Sequence, residues 1–262
     1  MSKALFRVER RAAGVVWLTL DRPEIHNAFD DRLIADLTGG LEHLGADPGV
    51  GVVVLTGAGR SFSAGADLNW MRRTASYGEA ENLADARALA RLMQTLNELP
   101  KPTVARVNGA ALGGGTGLVA CCDIVIASER ATFGTTEVRL GLIPAVIGPY
   151  VLAAVGARHA RRLMLTGERV SAAAAARVGL VHEVVAAEQL DSAIERVVAD
   201  LLKGGPAALT AAKRLIGDLA GRPITPDLID GTARRIAALR ATPEAREGVN
   251  AFLEKRAPGW SG

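Results

Sequence analysis

The chain has 262 residues, 49% hydrophobic and 23% charged, with a formal net charge of +3. That length and balance predict a globular chain of one or two domains with a substantial core, and exclude global disorder. Aromatic residues are 4%, and the Arg pairs are scattered without a Lys/Arg block, which argues against a nucleic-acid surface. No run approaches 18 consecutive apolar residues, so a membrane span is not expected. Residues 1–11 hold no apolar stretch of leader length, and the adjacent Cys121 and Cys122 are poorly placed for a disulfide. The expectation is a cytoplasmic location.

Residues 5–9 and 15–21 read as paired strands with a turn near Ala13 and Gly14. Residues 30–44 read as a helix, with Leu33, Ile34, Leu37, Leu41 and Leu44 at helical spacing and Asp30 as N-cap. The β-branched run at 50–56 predicts a buried strand. A long amphipathic helix is expected over 79–99, stopped by Pro100 and Pro102. Strands follow at 103–107 and 123–127, separated by a short apolar helix that Gly113, Gly114 and Gly115 open. This rhythm predicts an α/β core with buried parallel strands. From about Gly148 the pattern turns helical, over 149–155, 158–165, 171–178, 187–203, 206–220, 226–240 and 243–255, with one short strand at 181–185. The chain divides on this reading into an α/β core over 1–200 and a C-terminal helical region over 201–262.

Several familiar motifs are missing. Gly57-Ala58-Gly59 follows a strand, but Phe62 stands where a dinucleotide fingerprint needs its third glycine. No Lys follows a glycine loop as in a phosphate loop, and Ser63 lacks the first glycine of a nucleophile elbow. His26, His43, His159 and His182 are dispersed, so no metal site is expected.

Two glycine-rich turns remain, each just past a strand: Ser63-Ala64-Gly65-Ala66-Asp67-Leu68 and Leu112-Gly113-Gly114-Gly115-Thr116-Gly117. Small residues there let a ligand reach backbone N–H groups, and two converging N–H groups make an oxyanion hole. Either turn alone reads more readily as a plain tight turn with no ligand. Glu137, in Gly134-Thr135-Thr136-Glu137-Val138-Arg139, is the one carboxylate of a third segment. Burial there would suit it to proton transfer, and pairing with Arg139 at a surface turn would not.

The ordered set of these segments resembles the enoyl-CoA hydratase/isomerase family, the crotonases. Further matching pieces are Asp21-Arg22-Pro23-Glu24, His26-Asn27-Ala28, Lys101-Pro102-Thr103, Cys122-Asp123-Ile124, Gly179-Leu180-Val181 and Ala251-Phe252-Leu253-Glu254-Lys255-Arg256, so the resemblance spans about 5–257. It implies a crotonase-like spiral of ββα units with a C-terminal helical trimerisation region, and a homotrimer or dimer of trimers. The substrate it implies is an acyl-CoA, with no metal, nicotinamide or flavin, CoA arriving as part of the substrate. By the same resemblance Ala66 and Gly114 would supply the oxyanion N–H donors, and Glu137 would move the proton. His26, Ala28, Ala64, Asp67 and Leu68 would line CoA, with Phe252 and Lys255 at its nucleotide end. Trp70 and Met71 would begin the acyl pocket.

One position departs from the pattern. Hydratases of the family carry a second glutamate where this chain has Gly117. Three readings follow: a hydratase with Glu137 as main acid/base, a Δ3,Δ2-enoyl-CoA isomerase that needs one carboxylate, or a CoA-binding scaffold of little activity. The first is favoured, because segments 108–118 and 137–145 resemble the methylglutaconyl-CoA hydratases of leucine breakdown and their isoprenoid-acid relatives. If 137–139 is extended, Glu137 and Arg139 share a face, and Arg139 would hold a second carboxylate on the acyl chain.

Overall fold

The computed structural model describes residues 4–260; the first three residues of the 1–11 stretch and the last two of the C-terminal region lie outside it. The chain opens with β1 (Phe6–Arg10) and β2 (Val15–Leu20), an antiparallel pair turned through Ala13 and Gly14, both at positive φ. α1 (Asp31–Ala46) starts where expected, the Asp30 carboxylate accepting from the Leu33 N–H, and buries the five spaced apolar residues. Then come β3 (Val52–Gly57), β4 (Ser61–Ser63), α2 (Leu68–Thr74) and α3 (Glu79–Asn97). Next are β5 (Thr103–Val107), β6 (Ala110–Leu112), α4 (Gly114–Cys121), β7 (Ile124–Ser128) and β8 (Thr132–Gly134). The later part holds α5 (Gly148–Thr166), β9 (Val170–Ser171), α6 (Ala172–Arg177) and β10 (Glu183–Val185). α7 (Leu190–Leu201), α8 (Pro206–Leu219), α9 (Pro226–Arg240) and α10 (Pro243–Leu253) follow.

Two sheets organise these elements. The larger has the order β1-β2-β3-β5-β7-β10 and is parallel except for its first pair; the smaller has the order β4-β6-β8-β9. Each of β3, β5 and β7 is followed at once by its counterpart β4, β6 or β8 in the other sheet. The chain therefore climbs in strand–strand–helix turns, the expected spiral. Alternation along the strands sends side chains to both faces of the large sheet. Val53 and Leu55 enter the main core, with Leu18, Phe62 and Phe133, while Val52, Val54, Val104 and Ile126 pack under Leu190, Ala193 and Ile194 of α7.

The helices expected over 149–155 and 158–165 are both present, as the two arms of α5 on either side of a non-helical break at Gly156, which has φ +70°. Some expectations change. The strand expected over 181–185 shrinks to β10, and a 3-10 turn (Ala187–Gln189) precedes α7. The strands β4, β6, β8 and β9 were not foreseen, because two or three residues are too few to show an alternating period. Helices α8 and α9 contain no buried residue. Lys213 of α8 reaches Asp123 at 2.8 Å, and Asp123 also accepts from the Thr103 N–H and hydroxyl at 2.7 and 2.8 Å. Cys121 and Cys122 are free thiols. Among the described residues no helix is long and apolar enough to cross a membrane.

Candidate active site

The small sheet assembles the site. β4, β6 and β8 run parallel, with Ser63 beside Ala111 and Leu112 beside Gly134. Their carboxyl ends therefore lead together into residues 64–67, 113–114 and 135–137. Ligands in α/β sheets gather outside such strand ends. All three segments singled out in the sequence emerge at this one edge.

Close backbone approaches weld the two glycine turns together. Gly65 sits at φ +86°, and a Cβ on it would lie 2.8 Å from the Leu112 carbonyl oxygen. A Cβ on Gly115 would lie 2.5 Å from the Ser63 carbonyl oxygen, and one on Gly113 would lie 3.9 Å from the Gly65 Cα. Side chains at 65 and 115 would force the turns apart, so glycine is required there by contact, whereas at Gly113 it is the positive φ of +52° that favours glycine. On the first turn, the Gly65 carbonyl accepts from the Phe29 N–H at 2.6 Å, and the Asp67 N–H donates to the Phe29 carbonyl at 2.7 Å. This pairing leaves the intervening Ala66 N–H without an acceptor among the described residues. The Gly114 N–H, first in α4, also has none. An unpaired N–H in the first turn of a helix carries partial positive charge.

Glu137 starts a 3-10 turn (Glu137–Leu140) directly after β8. Its Oε1 would be 3.4 Å from a Cβ on Gly113, which puts the carboxylate at the mouth of the two turns. Its Oε2 is buried with no hydrogen-bond partner among the described residues. Burial raises the carboxyl pKa above the usual range, opposed in part by a hydrogen bond from its own backbone N–H. A carboxyl held this way in a cleft is a candidate proton-transfer group.

The position of the family's second glutamate is closed. Gly117 lies one turn into α4, its N–H bonded to the Gly113 carbonyl at 3.1 Å. A Cβ there would meet Ile147 Cγ2 at 2.3 Å and the Met93 methyl at 3.3 Å. Ile147 and Met93 are core residues, so this wall is apolar and already filled. The Thr116 hydroxyl is taken up by the fold: it donates to the Ala111 carbonyl at 2.7 Å and accepts from the Gly134 N–H at 3.2 Å.

Arg139 requires a correction. Residues 137–140 are a 3-10 turn, not extended, so Glu137 and Arg139 do not share a face. The clamp on a second carboxylate loses its geometric basis. The alternative pairing with Glu137 is absent as well; Arg139 is exposed, and its stem packs beside Gly167.

The remaining expected residues divide into two groups. His26, Ala28, Ala64 and Asp67 come together, since the Ala64 N–H donates to the His26 carbonyl at 2.9 Å and Asp67 is paired with Phe29. His26 accepts from Arg60 through Nε2, so its Nδ1 donates to the Ser61 hydroxyl at 3.0 Å. Asp67 caps α2 through the Asn69 and Trp70 N–H groups, which orders the turn that holds Ala66. Leu68 and Met71 lie on α2, Leu68 exposed, while Trp70 is buried and donates to Asp85 at 3.0 Å. Phe252 and Lys255 fall at the far end of α10, Phe252 82% exposed and neither bonded to the Glu137 segment.

Three contributors escaped the sequence reading: Phe29, Arg22 and Ile147. Arg22 binds the Ala28 carbonyl at 2.8 Å and the Asp30 carboxylate at 2.7 Å, with Asp67 at 3.7 Å, so it gathers the caps of α1 and α2. Its place in Asp21-Arg22-Pro23-Glu24 was the available signal. Nothing local marks Ile147, whose role exists only across the fold.

Comparison with known proteins gives the family. The model of the enoyl-CoA hydratase/isomerase family matches residues 10–262. A putative enoyl-CoA hydratase of Thermus thermophilus is 38% identical over 259 residues, covering 97% of this chain and 99% of that protein. The 2,3-dehydroadipyl-CoA hydratase of Escherichia coli is 35% identical over 253 residues, covering 96% and 97%. Among solved structures, an enoyl-CoA hydratase from Shewanella pealeana superposes with a TM-score of 0.95 at 44% identity, covering 98% of this chain and 96% of that one.

Proposed function

Since the chain belongs to the enoyl-CoA hydratase/isomerase family and is a hydro-lyase of enoyl-CoA thioesters, we propose that Glu137 performs the proton transfers while the Ala66 and Gly114 N–H groups polarise the thioester. Glu137 takes a proton from water as the water oxygen bonds to the β-carbon. The π electrons move to the thioester oxygen, where the two N–H groups stabilise the enolate. Glu137 then returns its proton to the α-carbon, giving the 3-hydroxyacyl-CoA. Water and thioester supply every atom, and CoA enters as part of the substrate.

The observation that carries this reading is a buried, unpaired carboxylate oxygen beside two unpaired backbone donors at one sheet edge. Glu137→Gln tests it. Turnover should fall by about a hundredfold to ten-thousandfold with the unfolding transition intact. A folded variant of near wild-type activity would refute the role.

The acyl chain we propose is branched or carries a second carboxylate, as in 3-methylglutaconyl-CoA. Support comes from the likeness of segments 108–118 and 137–145 to hydratases of such substrates, and from the 2,3-dehydroadipyl-CoA hydratase among the relatives. The His26–Ala28 and Ala64–Leu68 segments would receive CoA. Phe252 and Lys255 would complete its nucleotide end from a neighbouring subunit of a homotrimer or dimer of trimers. The exposed Ile216, Ile229, Ile236 and Phe252 on α8, α9 and α10 fit such an assembly. One observation favours a second reading, the Δ3,Δ2-enoyl-CoA isomerase: with Ile147 over Gly117, α4 brings no second carboxylate, and a proton shuttle between two carbons needs only one.

A further inference from the structure

Phe29 touches both turns at once. Its backbone N–H and carbonyl bond to Gly65 and Asp67 on either side of Ala66, at 2.6 and 2.7 Å. Its ring lies against Gly114: a Cβ there would be 2.6 Å from Phe29 Cε2 and 2.9 Å from Cδ2. The same residue thus fixes one donor through its main chain and the other through its side chain. Phe29 itself has little freedom, being 1% exposed and packed in the main core with Leu33, Phe62 and Leu118. Behind it, Arg22 ties down the Ala28 carbonyl, Asp30 and Asp67, so the main chain on both sides of Phe29 is anchored.

We propose that Phe29 is a positioning residue that sets the spacing between the Ala66 and Gly114 N–H groups. The proposal rests on the reading of those groups as the oxyanion donors. An oxyanion hole works because its donors are already placed where charge develops, and their mutual distance is therefore a catalytic parameter. A flat, rigid ring wedged between the two turns fixes that distance better than a flexible aliphatic chain does. The missing side chain at Gly114 has the matching explanation. The ring occupies the space a Cβ needs, so the glycine serves contact with Phe29 as much as contact with substrate.

Phe29 does not itself reach the reacting atoms, so the expected signature of its loss is a rate effect. Phe29→Leu should lower kcat by roughly tenfold to a hundredfold with KM for the acyl-CoA unchanged. A spectroscopic readout separates positioning from general loosening. A conjugated aryl enoyl-CoA bound by the protein absorbs at longer wavelength when its carbonyl is polarised, and Phe29→Leu should reduce that shift at saturating ligand. Phe29→Met, of similar adaptability and retained apolar bulk, serves if the leucine variant folds poorly. The pair with Gly114→Ala gives an internal check. Each single change should lower kcat, and the double variant should lose less than the product of the two, because the smaller residue at 29 makes room for the new methyl.

Unchanged kcat and an unchanged absorbance shift in a folded Phe29 variant would overturn the proposal, as would losses that simply multiply in the double variant. A wild-type protein that shows no shift and no turnover would overturn the oxyanion reading, and the positioning role with it. The two failures are told apart by the wild type alone.

Discussion

Glu137 shows how far a single residue could be read in advance. Its chemistry was legible from its type and apolar neighbours, but its partner was not: the sequence allowed Arg139, and the 3-10 turn removes it. Burial without a partner leaves two expected consequences for pH. The acid form is favoured in the folded protein, so the carboxyl pKa is raised on folding. Such a group adds its full stability below the unfolded value, about 4.3, and that contribution is lost as pH rises through the folded value. Glu137→Gln should therefore unfold at a higher temperature than wild type at pH 7, with the difference shrinking as pH falls and gone below about pH 4.3; thermal unfolding across pH checks this. In catalysis the sign reverses. The carboxylate is needed as base, so kcat/KM should rise with pH through an apparent pKa above the ordinary carboxylate range, and the Gln variant should lose that limb.

At the scale of elements, the helices and the long strands were legible because their periods run for many residues. The sheet that builds the site was not. β4, β6 and β8 are three residues each, and they are strands only because they lie beside one another. The wall over Gly117 is another property of packing: Ile147, thirty residues further along, fills the volume a side chain at 117 would take. Gly117→Ala should therefore destabilise despite the better helix propensity of alanine, by about 1–3 kcal/mol for overpacking against a β-branched neighbour. Ile147→Ala should also destabilise, by cavity formation, by about 2–5 kcal/mol. Combined, the two should cost less than their sum, with a coupling of about 0.5–3 kcal/mol in denaturant unfolding. Strict additivity would mean that Ile147 does not occupy that space in solution.

For the whole molecule, the change in character near Gly148 was visible in the sequence, and the structure gives it a physical meaning. α8 and α9 bury no residue within the chain, and Ile224, Ile216 and Ile229 stand 84%, 70% and 58% exposed. α5, α6 and α7 pack into the core, whereas few contacts among the described residues hold α8 and α9 to it, among them Lys213 to Asp123, whose side chains are 14% and 30% exposed. Association through these helices should give a particle of three or six chains in light scattering. Ile229→Glu combined with Ile236→Glu should shift it towards single chains, whereas an unchanged mass would place the interface elsewhere.

Water addition by one glutamate and two backbone donors is read out by product mass. The protein would be incubated in oxygen-labelled water with 3-methylglutaconyl-CoA, crotonyl-CoA and a 3-enoyl-CoA. The expected product is a 3-hydroxyacyl-CoA carrying one labelled oxygen, formed fastest from the branched, carboxylated substrate. A shifted double bond without label would contradict hydration and assign Glu137 to proton shuttling between carbons.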